Sequence, residues 1–406
     1  MGSDRRGPFD RLRPSAAVAV AYAVAAAVWV AFGADLPGGR WLAVHLFTLG
    51  VVTNLILALS DHFARTLMRQ PGDAPIAQLV AANVGAVAVF IGVSTGRQWW
   101  VAVGAAVLST AVFVSYRRLR RLRRTALGAR FRWVVRTYEL AHGAFLFGAL
   151  LGALVGIGVL AGPWVGAART GHLHVNVLGW AGLTLLATIV FFGPTIARTR
   201  IREGADARAA KALRLGAFGL GIGALALVGT GFGGGPGAVA RGLAALGLAV
   251  FAWSVTIVSL PVIVASTASR APERWSVLAV AAWFVFAAWS DVLVVATDAW
   301  RFLDPVGAAM LLGVLAQAIT VSLGFVAPRL LHLDPATAYA RTEAWAAARA
   351  VVWNAGVTLV VASAAVGPVS VRAWSVVGSV GWALVLAAGA ARVFIVVGAA
   401  ASRVRP

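Results

Sequence analysis

The sequence contains no cysteine among its 406 residues. The absence of thiols excludes disulfide bonds, iron–sulfur clusters, thiolate-bound haem and cysteine-ligated zinc. Charged residues are also scarce, since they make up 12% of the chain while apolar residues make up 60%. Soluble domains are about one quarter charged and about one half apolar. The composition therefore predicts a polytopic membrane protein.

Acidic residues are few, 14 against 35 lysines and arginines, which leaves a net charge of +21. In a soluble protein such a charge would suggest nucleic acid as a partner, but in a membrane chain its meaning depends on location. With the N-terminus inside, most arginines and the only lysine, Lys211, fall in inner loops. This asymmetry predicts cytoplasmic termini and a multi-pass protein of the cell membrane. Its predicted partner is the lipid bilayer, and no nucleic acid is expected.

Twelve apolar segments are each long enough to cross the bilayer, which takes about 20 residues. They are 15–33, 41–60, 76–95, 97–116, 138–161, 173–196, 213–232, 240–266, 275–296, 304–327, 346–366 and 373–397. The prediction is an all-α protein with twelve transmembrane helices in a single integral membrane domain, residues 1–406. The basic run from Arg117 to Arg136 is interpreted as a cytoplasmic loop that sets the topology, with contact to anionic lipid as the alternative.

Three of the segments share an internal pattern. The second and the sixth carry His-x-x-x-Leu-Gly, beginning at His45 and at His174. The tenth has Ala308 at the matching position, followed by Leu-Gly at the same offset. Repetition at every fourth segment predicts three arcs of four helices. The arcs cover approximately residues 15–116, 138–266 and 275–397.

Imidazoles at the mouth of a membrane helix suggest a functional site, because ionisable groups at membrane depth are costly. His45, His172 and His174 enter the second and sixth segments from the predicted outer side, with Asn176 close behind. Imidazole is a ligand of both haem iron and copper. We therefore predict that these four residues bind a cofactor, with His45 and His174 as the metal ligands. The alternative is that the histidines line an outer water-filled cavity.

Helix geometry limits how these residues combine. Positions two apart on a helix point about 200° apart. His172 and His174 therefore converge on one metal only if His172 lies in a non-helical entry. Asn176 is a candidate supporting partner for a ligand, or else ties helices together through its amide.

A second group of ionisable residues lies toward the predicted inner side. His62 follows Asp61, and His142 follows Glu139 by three positions, which places that pair on one helix face. The group could form a metal site or a proton entry. The interpretation we favour is interfacial ion pairing of the carboxylates with nearby arginines, namely Arg65, Arg69 and Arg136.

Two motifs carry a family resemblance: His45-Leu-Phe-Thr-Leu-Gly-Val-Val-Thr-Asn54 with Asp61-His-Phe-Ala64, and His172-x-His174-x-Asn176-x-x-Gly-Trp180. With twelve helices in three arcs, they resemble the haem–copper oxidase subunit I superfamily. The resemblance is closer to its NnrS-like members and to the membrane part of bacterial copper-oxidase and copper-nitrite-reductase-type proteins. It implies a protein that binds haem b or copper and acts in electron transfer or nitrogen-oxide metabolism. Such relatives often continue into a cupredoxin domain, so a separate cupredoxin or other redox protein is the expected partner.

The chain also departs from that family. Its oxygen-reducing members resemble one another in having further histidines in helices seven and ten, whereas residues 213–232 and 304–327 contain none. Ala308 stands where relatives carry histidine, although Gln317 and Pro328 still fit. We therefore expect no oxygen reduction. Two alternatives stay open: a transporter of a small molecule or copper ion, and a scaffold whose cofactor site has decayed, which Ala308 favours.

Overall fold

Twelve helices in the described part of the chain are long and apolar enough to cross a membrane. The computed structural model describes residues 9–33, 35–72, 74–125, 130–201, 203–366 and 373–401. In chain order the helices are α1 (Asp10–Phe32), α2 (Gly39–Met68), α3 (Ile76–Thr95), α4 (Gln98–Thr125), α5 (Arg132–Gly156), α6 (Pro163–Ile196), α7 (Ala205–Phe232), α8 (Gly234–Ala268), α9 (Arg274–Ala296), α10 (Trp300–Leu330), α11 (Tyr339–Val366) and α12 (Ser375–Gly398).

The described residues contain no β-strand, so the predicted all-α class and the predicted twelve spans are both confirmed. By helix length and composition the chain is a multi-pass membrane protein. Both chain termini lie outside the described residues, together with Arg5, Arg6, Arg403 and Arg405. Their cytoplasmic location stays a prediction.

The basic run between the fourth and fifth spans is largely helical. Helix α4 continues to Thr125 and α5 begins at Arg132, so the prediction of a loop is wrong for both described ends of the run. Arginine is a good helix former, and its aliphatic stem can lie along apolar surface while the guanidinium reaches a polar group. The arginines of this run therefore extend both helices beyond their apolar segments.

Three helices contain a π-helical segment in their described residues, and each segment begins directly after one of the repeated positions. Leu46–Val52 follows His45, Val175–Gly182 follows His174, and Ala309–Ala316 follows Ala308. Backbone hydrogen bonds that span five residues close the segments: Thr53 N–H to Thr48 O, Leu183 N–H to Leu178 O, and Gln317 N–H to Leu312 O. Such bonds widen a helix locally and are frequent at functional sites. The repetition found in the sequence therefore extends to the backbone.

The glycine of the Leu-Gly pair in each π segment lies against the first helix of its own arc. Three pairs show this relation: Gly50 with Tyr22, Gly179 with Ala144, and Gly313 with Trp283. A Cβ added to Gly50 would overlap the Tyr22 ring, and one added to Gly313 would lie 2.6 Å from the Trp283 side chain. The Leu-Gly pattern thus marks a close approach of the second helix of an arc to the first.

We expect Gly50→Ala to destabilise the protein by about 1–3 kcal/mol, because extra atoms in a well-packed contact force neighbours out of place. The matched control is Gly143→Ala in α5, where an added Cβ meets no atom within 4 Å. That change should be neutral or stabilise by up to about 1 kcal/mol, since alanine is the better helix former. Thermal unfolding in detergent measures both variants. Equal shifts for the two would contradict the packing argument.

The chain folds into two compact units. The first comprises Met1–Ala187 with Leu220–Ala244, and the second comprises Thr188–Gly219 with Ala245–Pro406. All the candidate histidines, together with Asn176 and Glu139, belong to the first unit. Its core includes Leu42, Leu46, Ala86 and Phe90, whereas a core cluster of the second unit includes Leu312, Trp353, Val357 and Val385. Each site below is built from residues of one unit.

Candidate metal site

His45 and His172 face each other between two helices of the first unit. Their ring centroids are 6.3 Å apart and their planes differ by 16°. His45 ends the α-helical part of α2 before its π segment, and His172 lies in the last turn before the π segment of α6. The indole of Trp41 stacks on His45 with centroids 4.0 Å apart. The structure thus brings together two of the three histidines that the sequence singles out on this side.

Hydrogen bonds to the backbone determine which ring nitrogen carries the proton. A carbonyl oxygen only accepts, so a ring nitrogen bonded to it must donate, and the lone pair is then on the other nitrogen. Nδ1 donates to a carbonyl 2.8 Å away in three cases: His45 to Trp41, His172 to Gly148, and His174 to Thr170. Nε2 therefore carries the lone pair in all three rings. Metal-bound histidines are commonly oriented by such a bond from the nitrogen that is not coordinated.

Asn176, the carbonyl of Gly148 and the backbone at Gly152 surround His172. The amide of Asn176 donates to the carbonyl of His172 at 2.8 Å, and its nitrogen lies 3.2 Å from Nδ1 of the same ring. A Cβ on Gly148 would overlap the Asn176 amide, and one on Gly152 would lie 2.5 Å from the His172 ring. The His172 imidazole therefore occupies the space that Gly152 leaves open, and the Asn176 amide occupies the space that Gly148 leaves open.

His174 is oriented differently from His172. Both belong to the regular helical segment Pro163–His174, so the condition under which they would converge on one metal is not met. His174 is also almost completely buried, with 1% of its surface exposed. The sequence favoured His174 as the partner of His45, whereas the ring that the structure places opposite His45 is that of His172.

The carboxylates of the second group form ion pairs with arginines. Arg65 and Arg118 both pair with Asp61, at 2.9 and 2.7 Å. Arg123 pairs with Glu139 through two nitrogens, at 2.5 and 3.1 Å. Arg65 belongs to α2, whereas Arg118 and Arg123 belong to α4 and to the basic run. The basic run therefore supplies partners to both buried carboxylates. Of the arginines named from the sequence, Arg65 has the expected role for Asp61, while the guanidinium that meets Glu139 is that of Arg123 rather than Arg136.

The two histidines of that group lie in the protein interior. His142 donates from Nδ1 to the carbonyl of Tyr138 at 2.7 Å, and its Nε2 accepts from the Ser115 hydroxyl at 3.0 Å. The ring also meets Trp180 edge-on, with centroids 4.7 Å apart. His62 packs on Phe9, with centroids 4.8 Å apart. Since both nitrogens of His142 are engaged, this residue serves packing and hydrogen bonding.

Sequence reasoning missed the residues that position His172. Gly148, Gly152 and Gly156 recur at every fourth position of α5, a spacing of small residues that lets membrane helices approach closely. That spacing was visible in the sequence and predicts a neighbour packed against this face. The stacking of Trp41 on His45 was not predictable from the sequence, because tryptophan near the end of a span is ordinary in membrane proteins.

The separation of the His45 and His172 ring centroids matches that of two imidazoles bound to one metal ion. A metal–nitrogen bond of about 2 Å on each side, with about 1 Å from each nitrogen to its ring centre, places the centroids about 6 Å apart. The observed separation is 6.3 Å. No group of three or more histidines and carboxylates in the described residues could hold a metal. Two imidazoles suit the axial ligation of haem iron or a copper ion.

No protein-family model matches the chain, and no curated protein matches it. The resemblance to haem–copper oxidases therefore rests on the quoted motifs and on the arcs alone.

Proposed function

We propose that this chain is a cell-membrane protein of haem–copper oxidase descent that binds one redox-active metal, haem b iron or a copper ion, between His45 and His172. The observation that supports this is the nearly parallel pair of rings, with centroids 6.3 Å apart, in tautomers that place the lone pair of each ring on Nε2. Such a centre gains and loses single electrons, which suits electron transfer or nitrogen-oxide metabolism.

The chain's own residues have defined roles in this proposal. The Trp41 and Gly148 carbonyls fix the two ring tautomers, and Asn176 braces the backbone of His172. Under the predicted topology the pair lies toward the outer face. The electron partner is then a separate protein on that side, such as a cupredoxin. Oxygen reduction is not part of the proposal, because the family's additional histidines are absent from residues 213–232 and 304–327.

The test is spectroscopy of the purified protein after expression with haem and copper supplied. A haem iron with two axial imidazoles would give a sharp reduced α-band, whereas copper would titrate at one equivalent without that band. We expect His45→Ala and His172→Ala to abolish either signal. His62→Ala is the matched control and should leave it unchanged.

A third histidine variant separates the two possible pairings. His174→Ala should retain the signal if His172 is the partner of His45, and should lose it if the pairing favoured by the sequence is correct. Wild-type protein with neither haem nor copper would refute the metal proposal. The transporter or the decayed scaffold would then take its place.

A further inference from the structure

The second unit contains a buried cluster of two arginines and one glutamate. Nη2 of Arg392 and Nη2 of Arg349 both donate to Oε1 of Glu273, at 2.5 and 3.1 Å. The Ser276 hydroxyl donates to Oε2 of the same carboxylate at 3.2 Å. No side chain of the three charged residues is more than 10% exposed. Two positive charges and one negative charge leave this buried group with a residual charge of +1.

Backbone carbonyls take up part of the donor capacity of the two guanidinium groups. Arg392 Nη1 and Arg349 Nη2 donate to the carbonyl of Thr342, at 2.9 and 3.0 Å. Arg349 Nη1 donates to the carbonyl of Ala344. Nε of Arg349 is buried and meets no hydrogen-bond partner in the described part of the chain. A charged donor left in this state is costly, and more so than a neutral one.

Gln317 is the second unsatisfied group at this place. It is the first residue after the π segment of α10, and only 2% of its surface is exposed. Neither Oε1 nor Nε2 of its amide has a hydrogen-bond partner among the described residues. Buried polar side chains are nearly always bonded, so an exception of this kind calls for a bound molecule or another physical reason.

A cavity joins the two unsatisfied groups. It has a volume of about 280 Å³ with its open mouth included, and Gln317, Arg349 and Arg392 line it together with Ser276 and Thr320. Trp353 forms part of the wall, and its indole N–H donates to the carbonyl of Leu312 at 3.1 Å, so that donor is already used. Because this volume includes the open mouth, the enclosed space is smaller and suits a ligand of only a few atoms.

The geometry points to a binding site for a monovalent oxyanion group in this cavity. Such a group would balance the residual charge of +1 and accept hydrogen bonds from Nε of Arg349 and Nε2 of Gln317. Guanidinium groups match the oxygens of carboxylate-like and phosphate anions better than a point charge does. Two sources share this chemistry: a small soluble oxyanion, and the phosphodiester of a lipid headgroup that enters through the mouth.

The experiment compares the full chain with Gln317→Leu, a substitution of similar size that removes both unsatisfied atoms. Nitrate, acetate and phosphate are titrated at constant ionic strength while thermal unfolding in detergent is followed by tryptophan fluorescence. We expect a saturable rise of the unfolding midpoint in wild type, and at least tenfold weaker anion binding in Gln317→Leu. Gln98→Leu, at the exposed start of α4, is the matched control and should respond as wild type does.

A second variant and a second measurement test the proposal independently of Gln317→Leu. Thr320→Leu narrows the cavity without changing any charge and should also lose the anion response. Native mass spectrometry identifies the source, since a phospholipid retained by wild type but not by Gln317→Leu assigns the oxyanion to a headgroup. Identical anion responses and identical lipid content in wild type and both variants would overturn the proposal. That result would mean that the cavity beside Gln317 holds only water.

Discussion

Replacement of Glu273 by glutamine is expected to lower the free energy of unfolding by about 3–5 kcal/mol, the cost of removing one partner from a buried ion pair. Glu273 is the carboxylate that both Arg349 and Arg392 contact. Glutamine keeps the size and shape of the side chain, so the loss reports the missing charge. Thermal unfolding in detergent measures the effect, together with the yield of folded protein.

The matched control for this variant is Glu343→Gln. Glu343 pairs with Arg198 at 2.6 Å, but the Arg198 side chain is 57% exposed. Exposed pairs contribute about 0–1 kcal/mol, because solvent screens them and the long side chains lose conformational freedom. A similar shift for both variants would show that the Glu273 cluster is solvated and that its residual charge has no structural importance.

Gly152→Ala is expected to weaken metal binding by about 10–100-fold, the usual effect of disturbing groups that orient a metal ligand. The added methyl group would lie 2.5 Å from the His172 ring. The ring must then turn away, which breaks its hydrogen bond to the Gly148 carbonyl and displaces Nε2. Titration of the metal into the purified variant measures the affinity.

The control is Gly166→Ala, six residues before His172 in α6, where an added Cβ meets no atom within 4 Å. Its metal affinity should equal that of wild type. If Gly152→Ala also binds as wild type does, His172 is not a ligand. His174 would then be the better candidate to pair with His45.

Hydropathy was sufficient to predict the spans, because an apolar run of about 20 residues is stable only when it is removed from water. The recurrence of Leu-Gly located the three positions that open π segments. The π geometry itself was not predictable, because the hydrophobic pattern does not show whether a backbone hydrogen bond spans five residues or four. The resemblance to the oxidase family could not supply it either, as it rests on side-chain identities.

The partners of the buried groups depend on how each helix is rotated and where it ends. Arg123 and Glu139 lie 16 positions apart, and Arg392 and Glu273 lie 119 positions apart. Sequence separation does not distinguish Arg123 from Arg136 as the partner of Glu139. His172, the ring near His45, lies in a helix that begins at Pro163, ten residues before the apolar segment in the sequence.

The π segments also bear on how the chain originated. A helix that gains one residue without moving its ends must place the extra residue in a wider turn. This wider turn stands at the same place relative to Leu-Gly in all three arcs, including the arc in which alanine occupies the position of the histidine. The simplest history is a four-helix ancestor that carried the insertion before it was copied twice. In that history the histidines would have diverged within a backbone that was already triplicated. A related chain with an uninterrupted α-helix in one arc, and a histidine at its marked position, would argue for separate insertions instead.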